Sequence, residues 1–399
     1  MVNVGVDLHK TQFTVCVRGR RGEGFNQYPT TEAGYTAFLK KVAVWQKAGK
    51  QVRVGVESTG NTRYFKGRME AAGIAVTVIN TLKFKVVNES VKKTDKHDAA
   101  TIAEFLEKDM LPESRLCSRE SEQMRRLLKV RTTLVRAQVV VKNQIHALLV
   151  AEGLEDGKRT LQSKKGRQRV LDGLNERTNG LVVQPLIETI DRLGEQVKNL
   201  EVQLRALAEG DRMVQVLLTI PGCGEISAWT IRAYTDDIGR YGSSKKYAAY
   251  AGLAPWVQGS NEVVRYGKIT KRGPEELRTA LVQVVMGMLR LKKTTVGWRL
   301  MKRYAEMKRN KGSGKSIIAS ARKVAVMIWH MLSEDKEFEE GLMSDAKTEM
   351  QAGTKKPIAN ILAEKASSAD KDLKTGCENP RGAKSEEPVL PERKGKKAG

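Results

Sequence analysis

Aromatic side chains make up only 5% of the 399 residues, so a platform of rings for stacking bases is not the expected binding mode. Cysteine and histidine are as scarce: Cys16, Cys117, Cys223 and Cys377 lie far apart, and histidine occurs only at positions 9, 97, 146 and 330. That excludes zinc-finger spacing and a disulfide framework. Cys16, inside TVCV, reads as a small buried apolar residue. No run approaches the ~18 apolar residues of a membrane span, and the opening MVNVGVDLHK lacks the charged-then-apolar order of a signal peptide. A soluble, cytoplasmic protein with no membrane partner is expected. Negative charge is also in deficit, with 46 Asp plus Glu against 71 Lys plus Arg and a net charge of +25. Such an excess points to a polyanion, nucleic acid first and an acidic membrane surface second. The length allows two domains or more.

What is present is organised around Val91 to Leu106, VKKTDKHDAATIAEFL. Asp95 and Asp98 lie three apart at the start of a helix-forming stretch, so both carboxylates share a face. Thr94 or Asp95 also suits the cap, and Asp98 the positive end of the helix. Upstream, Val2 to Val6 is a strand ending at Asp7, with Gln12 to Val17 as its hairpin partner. Thr31 to Lys47 fits an amphipathic helix with Tyr35, Phe38, Leu39, Val42 and Trp45 on one stripe. Val52, Val54 and Val56 alternate along a strand that ends at Glu57; Asn61 to Ala72 reads as a helix and Ile74 to Ile79 as a strand. The order β-β-α-β-α-β-α implies a mixed sheet flanked by helices. Asp7 and Glu57 then sit at the C-terminal ends of strands, where α/β sheets commonly place ligands. Four acids on one sheet edge would repel one another, and a hard divalent cation, Mg²⁺ or Mn²⁺, resolves that and supports attack at phosphate. An actin-like nucleotide site would need better glycine-rich phosphate loops than GVDLHK and GVESTG.

Ser118 to Glu152 reads as one long helix with Leu127, Leu134, Val141, Ile145 and Leu148 on a heptad-like stripe. Its cations, among them Arg125, Arg126, Arg131 and Arg136, suit solvent or a nucleic-acid backbone. Gly153 to Arg169 looks like a hydrophilic, basic linker. Pro185 opens a second helix whose Ile190, Leu193, Val197, Leu200, Leu204 and Leu207 form a coiled-coil seam, facing either the first helix or a second chain.

Met213 to Ile231 looks like a helix-hairpin-helix in which Gly222 and Gly224 leave backbone N–H groups for phosphate; an ordinary helical turn is the plainer reading. Ser260, in a Gly-Ser-Asn turn, precedes Arg265, Lys268, Lys271, Arg272 and Arg278, fixed positive charge able to hold a phosphodiester. Most turn serines do no chemistry. Ser243 and Ser244 read as caps. NKGSGKS is not a phosphate loop, because Arg309 stands where the first glycine is needed; it reads as a helix start. From about Ser344 the composition is that of a disordered tail. The expected division is 1–112, 113–210, 211–340 and a basic tail, 341–399.

The series VGVDLHK, VGVESTG, VIN and KTDKHDAATIAEF resembles the RuvC-like (ribonuclease H fold) domain of the DEDD transposases, the "IS one-ten" insertion-sequence family that includes the Piv-type DNA invertases. Residue by residue, Asp7, Glu57, Asp95 and Asp98 match that family's four acids. Gly252-Leu253-Ala254-Pro255, Ser260-Asn261, Gly267 through Gly273 and Leu277-Arg278 resemble its C-terminal transposase domain. Asn261 stands in place of the usual glycine, which asparagine's tolerance of left-handed backbone permits, and Pro274 is a second departure. The resemblance runs over roughly residues 1 to 335. It implies an α/β fold with a RuvC-like mixed sheet, then long coiled-coil helices and a mainly α C-terminal domain. It also implies a bacterial, nucleoid-associated DNA recombinase in which the acids hold metal and Ser260 forms a covalent phosphoserine. A dimer or tetramer, and a structured noncoding guide RNA encoded by the element, belong to the same implication. The residues by themselves leave open a metal-dependent junction nuclease that uses water, and a non-catalytic nucleic-acid-binding protein.

Overall fold

Seven consecutive buried residues, VNVGVDL, form β1 (Val2–Leu8), the central strand of a five-stranded mixed sheet in the computed structural model. The structure describes residues 1–19, 22–81, 83–84, 94–154, 157, 159–260, 263–291 and 298–339. The tail expected beyond Ser344, and the start of the VKKTDKH stretch, lie outside the described residues. On one side of β1 runs β2 (Gln12–Gly19), antiparallel, and beyond it β3 (Gly22–Pro29). On the other side lie β4 (Val52–Glu57) and β5 (Ala75–Ile79), both parallel, giving the order β3-β2-β1-β4-β5.

The strand β3 is absent from the sequence reading. Its segment, GEGFNQYP, is mostly exposed and carries no apolar alternation. A continuous ladder with β2, from Gln12↔Pro29 to Gly19↔Gly22, holds it as an edge strand, so backbone pairing rather than burial makes it.

The helix α1 (Glu32–Lys47), capped by Thr31, and α2 (Thr62–Ala71) follow the expected spans closely. Their Tyr35, Phe38, Val42, Phe65 and Met69 fill the core with Phe13 and the valines of β1 and β4. The opposite face is covered by α3 (Asp95–Glu107). Gly5 makes that possible, since a Cβ there would stand 2.0 Å from the Ala99 carbonyl oxygen and 2.4 Å from the Ala103 nitrogen. Small residues on both partners, with Cys16 packed against Ala99 and Ala103, let helix backbone and strand backbone meet.

Two long helices follow: α4 (Arg119–Ala151), capped by Ser118, and α6 (Gln184–Leu207), which has Pro185 in its first turn. They pack against each other within this chain, joined by Arg131 Nε to Glu201 Oε1 (2.7 Å) and Gln138 Nε2 to the Ile190 carbonyl (2.9 Å). Of the expected stripe on α4, Ile145 is buried while Leu127, Leu134, Val141 and Leu148 are half-buried, and Met124, Leu128 and Leu149 beside them are buried instead. Its two ends insert into different cores, which a single repeat does not encode. The seam of α6 likewise weakens, with Leu207 exposed.

The expected linker over Gly153 to Arg169 contains structure. Ser163 caps α5 (Lys164–Gly173), and Leu161 and Val170 join Ile145, Leu149, Ile187 and Ile190 in a small core. Arg167 is buried there, donating to the Leu161 carbonyl at 3.1 Å and pairing with Asp191. Five aliphatic residues in and just after so basic a stretch, Leu154, Leu161, Val170, Leu171 and Leu174, suffice once α4 and α6 supply the other walls.

The last region is mainly helical: α7 (Arg212–Leu218), α8 (Glu225–Thr235), α9 (Ser244–Tyr250), α10 (Glu275–Arg290), α11 (Arg299–Lys311) and α12 (Ser313–Ser333). Ser243 caps α9 as expected, and NKGSGKS leads into α12. Trp229, Tyr247, Leu281, Val284, Val324 and Ile328 lie in the core of this region. A two-stranded ribbon, β6 (Pro255–Ser260) and β7 (Val263–Ile269), projects between α9 and α10. The sheet region and this one are tied by the Ser118 N–H to Asp236 Oδ1 (3.1 Å) and by Arg115 to Asp237 Oδ2 (3.0 Å), within one unit spanning Met1–Ser344. Among the described residues no helix is long and apolar enough to cross a membrane.

Candidate active site and nucleic-acid contacts

Asp7 is the sixth residue of β1, and Val6 is paired with Val56 of the parallel neighbour β4. Asp7 and Glu57 therefore reach the same edge of the sheet. The α3 N-terminus arrives at that edge because Gly5, two residues before Asp7, is in backbone contact with Ala99 and Ala103. Thr94 accepts the His97 N–H as the helix cap, leaving Asp95 and Asp98 in the first turn. Ligand atoms of Asp7, His9 and Asp95 all lie within 4.8 Å of one another. His9 Nε2 is 3.0 Å from Asp7 Oδ2 and 3.6 Å from Asp95 Oδ1. The His9 carbonyl is held from two sides, by Thr30 Oγ1 and by Asn61 Nδ2, each at 3.1 Å. On the β4 side, Thr62 Oγ1 bonds the Glu57 carbonyl at 2.6 Å and receives the Thr59 N–H at 2.7 Å, which fixes the backbone of GVESTGNT.

Burial pushes the Asp7 carboxyl above the usual carboxylate range; the charge and hydrogen bond of His9 pull it back, and Asp95 and Asp98 raise it again. The balance stays raised, with burial the largest cause. Two carboxylates and an imidazole at this spacing, with Asp98 close enough to be felt electrostatically, fit a divalent cation. Asp7 is nearly buried while the Asp95 side chain is 42% exposed, so the site is open on one side.

Ser260 is the last residue of β6, opposite Val263, at the tip of the ribbon rather than inside an isolated turn. Asn261 lies outside the described residues. The Gly-Leu-x-Pro and Lys-x-Gly segments at the ribbon's base are locked backbone to backbone. Gly252 (φ +71°) faces the Lys271 and Arg272 backbone, and a Cβ on Gly273 (φ +117°) would lie 1.9 Å from the Tyr250 carbonyl oxygen.

Two family models match the chain: one described as a transposase of the DEDD IS110 type over residues 4–152, and one described as the transposase IS116/IS110/IS902 family over residues 214–297. Together they span more than half of it. The chain belongs to the IS110 transposase family. Among relatives, it is similar to a probable family 20 transposase of Pseudomonas aeruginosa, 26% identical over 72% of this chain and 86% of the relative. The transposase for insertion sequence element IS1111A of Coxiella burnetii is 26% identical over 84% of this chain and 90% of its own length. That for IS1328 of Yersinia enterocolitica is 27% identical, covering 70% of this chain and 81% of its own. These relationships make the protein a DNA transposase, an enzyme that cleaves and rejoins DNA.

The transposase places the sequence-predicted cations in two groups. Several are engaged inside the protein. Arg125 Nε donates to the Ala233 carbonyl (2.9 Å) with its guanidinium over the Tyr234 ring, and Arg131 pairs with Glu201. Arg126 pairs with Glu122 one turn away on its own helix but is itself exposed. Arg278 Nη1 lies 3.4 Å from both the Ala251 and Lys271 carbonyl oxygens, bracing the ribbon's base. Arg136, Arg265, Lys268, Lys271 and Arg272 are exposed. Gly222 has a positive φ of +84° and meets the backbone of Gly287 and Met288, so close helix approach accounts for this glycine. Gly224 is exposed and forms the cap of α8. Sequence reasoning missed His9 as a member of the acid cluster; the available signal was a histidine two residues beyond Asp7, in DLHK.

Proposed function

We propose that this transposase cuts and rejoins DNA through a serine nucleophile assisted by a metal-holding acid pocket. The observation that carries the reading is the meeting of Asp7, His9 and Asp95 at one sheet edge in a chain of this family. Asp7, Asp95 and Asp98, with Glu57 at the end of β4, are the residues to hold Mg²⁺ or Mn²⁺. When bound, such an ion supplies Lewis acidity at a phosphate oxygen. The Ser260 hydroxyl attacks phosphorus, loses its proton to solvent or a neighbouring base, and displaces a deoxyribose hydroxyl that takes up a proton. One phosphoester bond forms as one breaks, so rejoining by the reverse displacement needs no ATP. The exposed cations Arg265, Lys268, Lys271 and Arg272 hold the phosphodiester around that step.

Resemblance to the family supports three further parts of the proposal. A structured noncoding RNA guides the choice of donor and target DNA. The chain works as a dimer or tetramer in the bacterial cytoplasm at the nucleoid; exposed Val139, Val140 and Val150 on α4 leave apolar surface for a second copy. The acid pocket and the ribbon belong to separate domains, divided near residues 112 and 210.

The test is a denaturing gel after incubation with cognate DNA, the guide RNA and Mg²⁺. A protein–DNA adduct is expected from wild type, absent in Ser260→Ala and reduced in Glu57→Gln. Cleavage without an adduct, unchanged in Ser260→Ala, establishes hydrolysis by water instead.

A further inference from the structure

A groove of about 1300 Å³ opens between the β6–β7 ribbon and the helices α11 and α12. That exceeds the ~300–1,000 Å³ of ordinary small-molecule pockets. Its walls carry Lys268 and Lys271 from the ribbon, Arg303 and Lys311 from α11, and Lys315 and Lys323 from α12. Among the described residues no carboxylate lines it and none of these six cations has an ion-pair partner. Arg303, Met307 and Lys311 recur every four residues and so share one face of α11. So many uncompensated charges around one concavity repel each other, and a polyanion relieves that.

The floor has a different character. Leu253, Ile269, Leu300, Met307 and Ile318 make it aliphatic, and Ser320, whose buried hydroxyl has no hydrogen-bond partner, lies at its base. A duplex presents phosphates and sugars outward and hides its bases, so a hydrophobic floor adds nothing to duplex binding. An unpaired strand exposes base faces and sugar edges that aliphatic side chains can cover while the cations track the backbone. The groove includes Pro255, the first residue of β6, and β6 runs about 17 Å from there to Ser260 at ~3.4 Å per residue. A strand lying in the groove is thus led along the ribbon toward its tip.

We propose that this groove binds an unpaired segment of nucleic acid, gripping its backbone with the cations of α11 and α12 and its bases with the aliphatic floor. The inference goes beyond the serine chemistry and does not require it, because binding is read without cleavage.

The test uses the full chain and three fluorescent probes of equal length, an oligothymidine, an oligouridine and a mixed-sequence duplex, titrated by anisotropy over a range of salt. For Lys315→Gln with Lys323→Gln, the slope of log affinity against log salt on the single strands should fall by about 1.4, at ~0.7 per lost phosphate contact. Duplex affinity should stay near wild type. Met307→Gln should weaken single-strand binding several-fold with the slope unchanged, which separates floor from rim. Tighter binding of oligothymidine identifies the strand as DNA, and of oligouridine as RNA. The substituted side chains are exposed or half-buried, and a melting curve verifies each fold. Wild-type slope and affinity in the double variant, or an equal loss for the duplex, overturns the proposal; so does a Met307→Gln protein that binds single strands as wild type does.

Discussion

Gly5→Ala is the smallest change that should dismantle the acid pocket without touching an acid. The added Cβ would stand 2.0 Å from the Ala99 carbonyl oxygen and 2.4 Å from the Ala103 nitrogen, where ordinary contact begins near 3.4 Å. Both obstacles are helix backbone, so no rotamer change relieves them, and α3 must retreat by about 1 Å, a displacement that typically costs on the order of 100-fold in rate. Alanine in place of a strand glycine is intrinsically worth ~0.5–1 kcal/mol in the stabilising direction. Overpacking costs about 1–3 kcal/mol and wins, because the clash is with main chain. Since Asp95 and Asp98 ride on α3, their retreat from Asp7 opens the cation site. The assay is thermal melting with and without Mg²⁺ or Mn²⁺, followed by adduct formation. The variant should melt lower, lose most of the metal-induced increase and form adduct on the order of 100-fold more slowly. Gly55→Ala is the control: the nearest atoms to its Cβ are side-chain methyls of Ile102, Leu111 and Leu106, at 2.8, 3.0 and 3.7 Å, rather than helix backbone. A Gly5→Ala protein that melts at or above wild type with its metal response intact refutes the reasoning.

Asp7→Asn tests the electrostatics of the same pocket. Because burial raises the folded-state pKa of Asp7, the proton-linked stabilisation is fully present below the ordinary carboxylate value and is lost as pH rises through the raised one. Without metal, the variant should therefore melt above wild type at neutral pH, with the gap closing on acidification, and should no longer respond to Mg²⁺; a variant less stable than wild type at neutral pH contradicts this. Gly222→Ala combines a left-handed backbone (φ +84°) with a Cβ 2.4 Å from the Met288 nitrogen, whereas Gly210→Ala has the positive φ (+74°) and open space. Melting of Gly210→Ala should show about 1–2 kcal/mol for the backbone strain, with Gly222→Ala losing a further ~1–3 kcal/mol for the clash; equal losses would show that the Gly222–Gly287 contact carries no weight.

Much of the sheet region is legible because its signals are local. Alternating valines mark β1 and β4, Thr94 caps α3, and Asp7 and Glu57 end adjacent strands whose helices must cross over to keep them parallel. β3 escaped because its residues are polar and it owes its place to a ladder with β2. The helix at Lys164–Gly173 escaped because its few apolar residues mean little until α4 and α6 surround them. His9 was visible as a residue but not as a neighbour of Asp95, which lies 86 positions further on and reaches it only through helix packing.

The amino-acid sequence by itself determined most of the helices, the inner strands of the sheet with the acids at the ends of two of them, the basic character of the chain and the motifs of its family. Periodicity, capping and composition act over a few residues, so they survive in a linear reading. Tertiary structure alone decided which acids meet and which cations remain available. Arg125, Arg131 and Arg278 are absorbed by carbonyls and a carboxylate of other elements, while Arg303 and Lys323, without any motif to mark them, converge on one groove with Lys315 of the NKGSGKS segment. A charged side chain's role follows from what packs beside it, and that neighbour is chosen by the burial of surfaces remote in sequence.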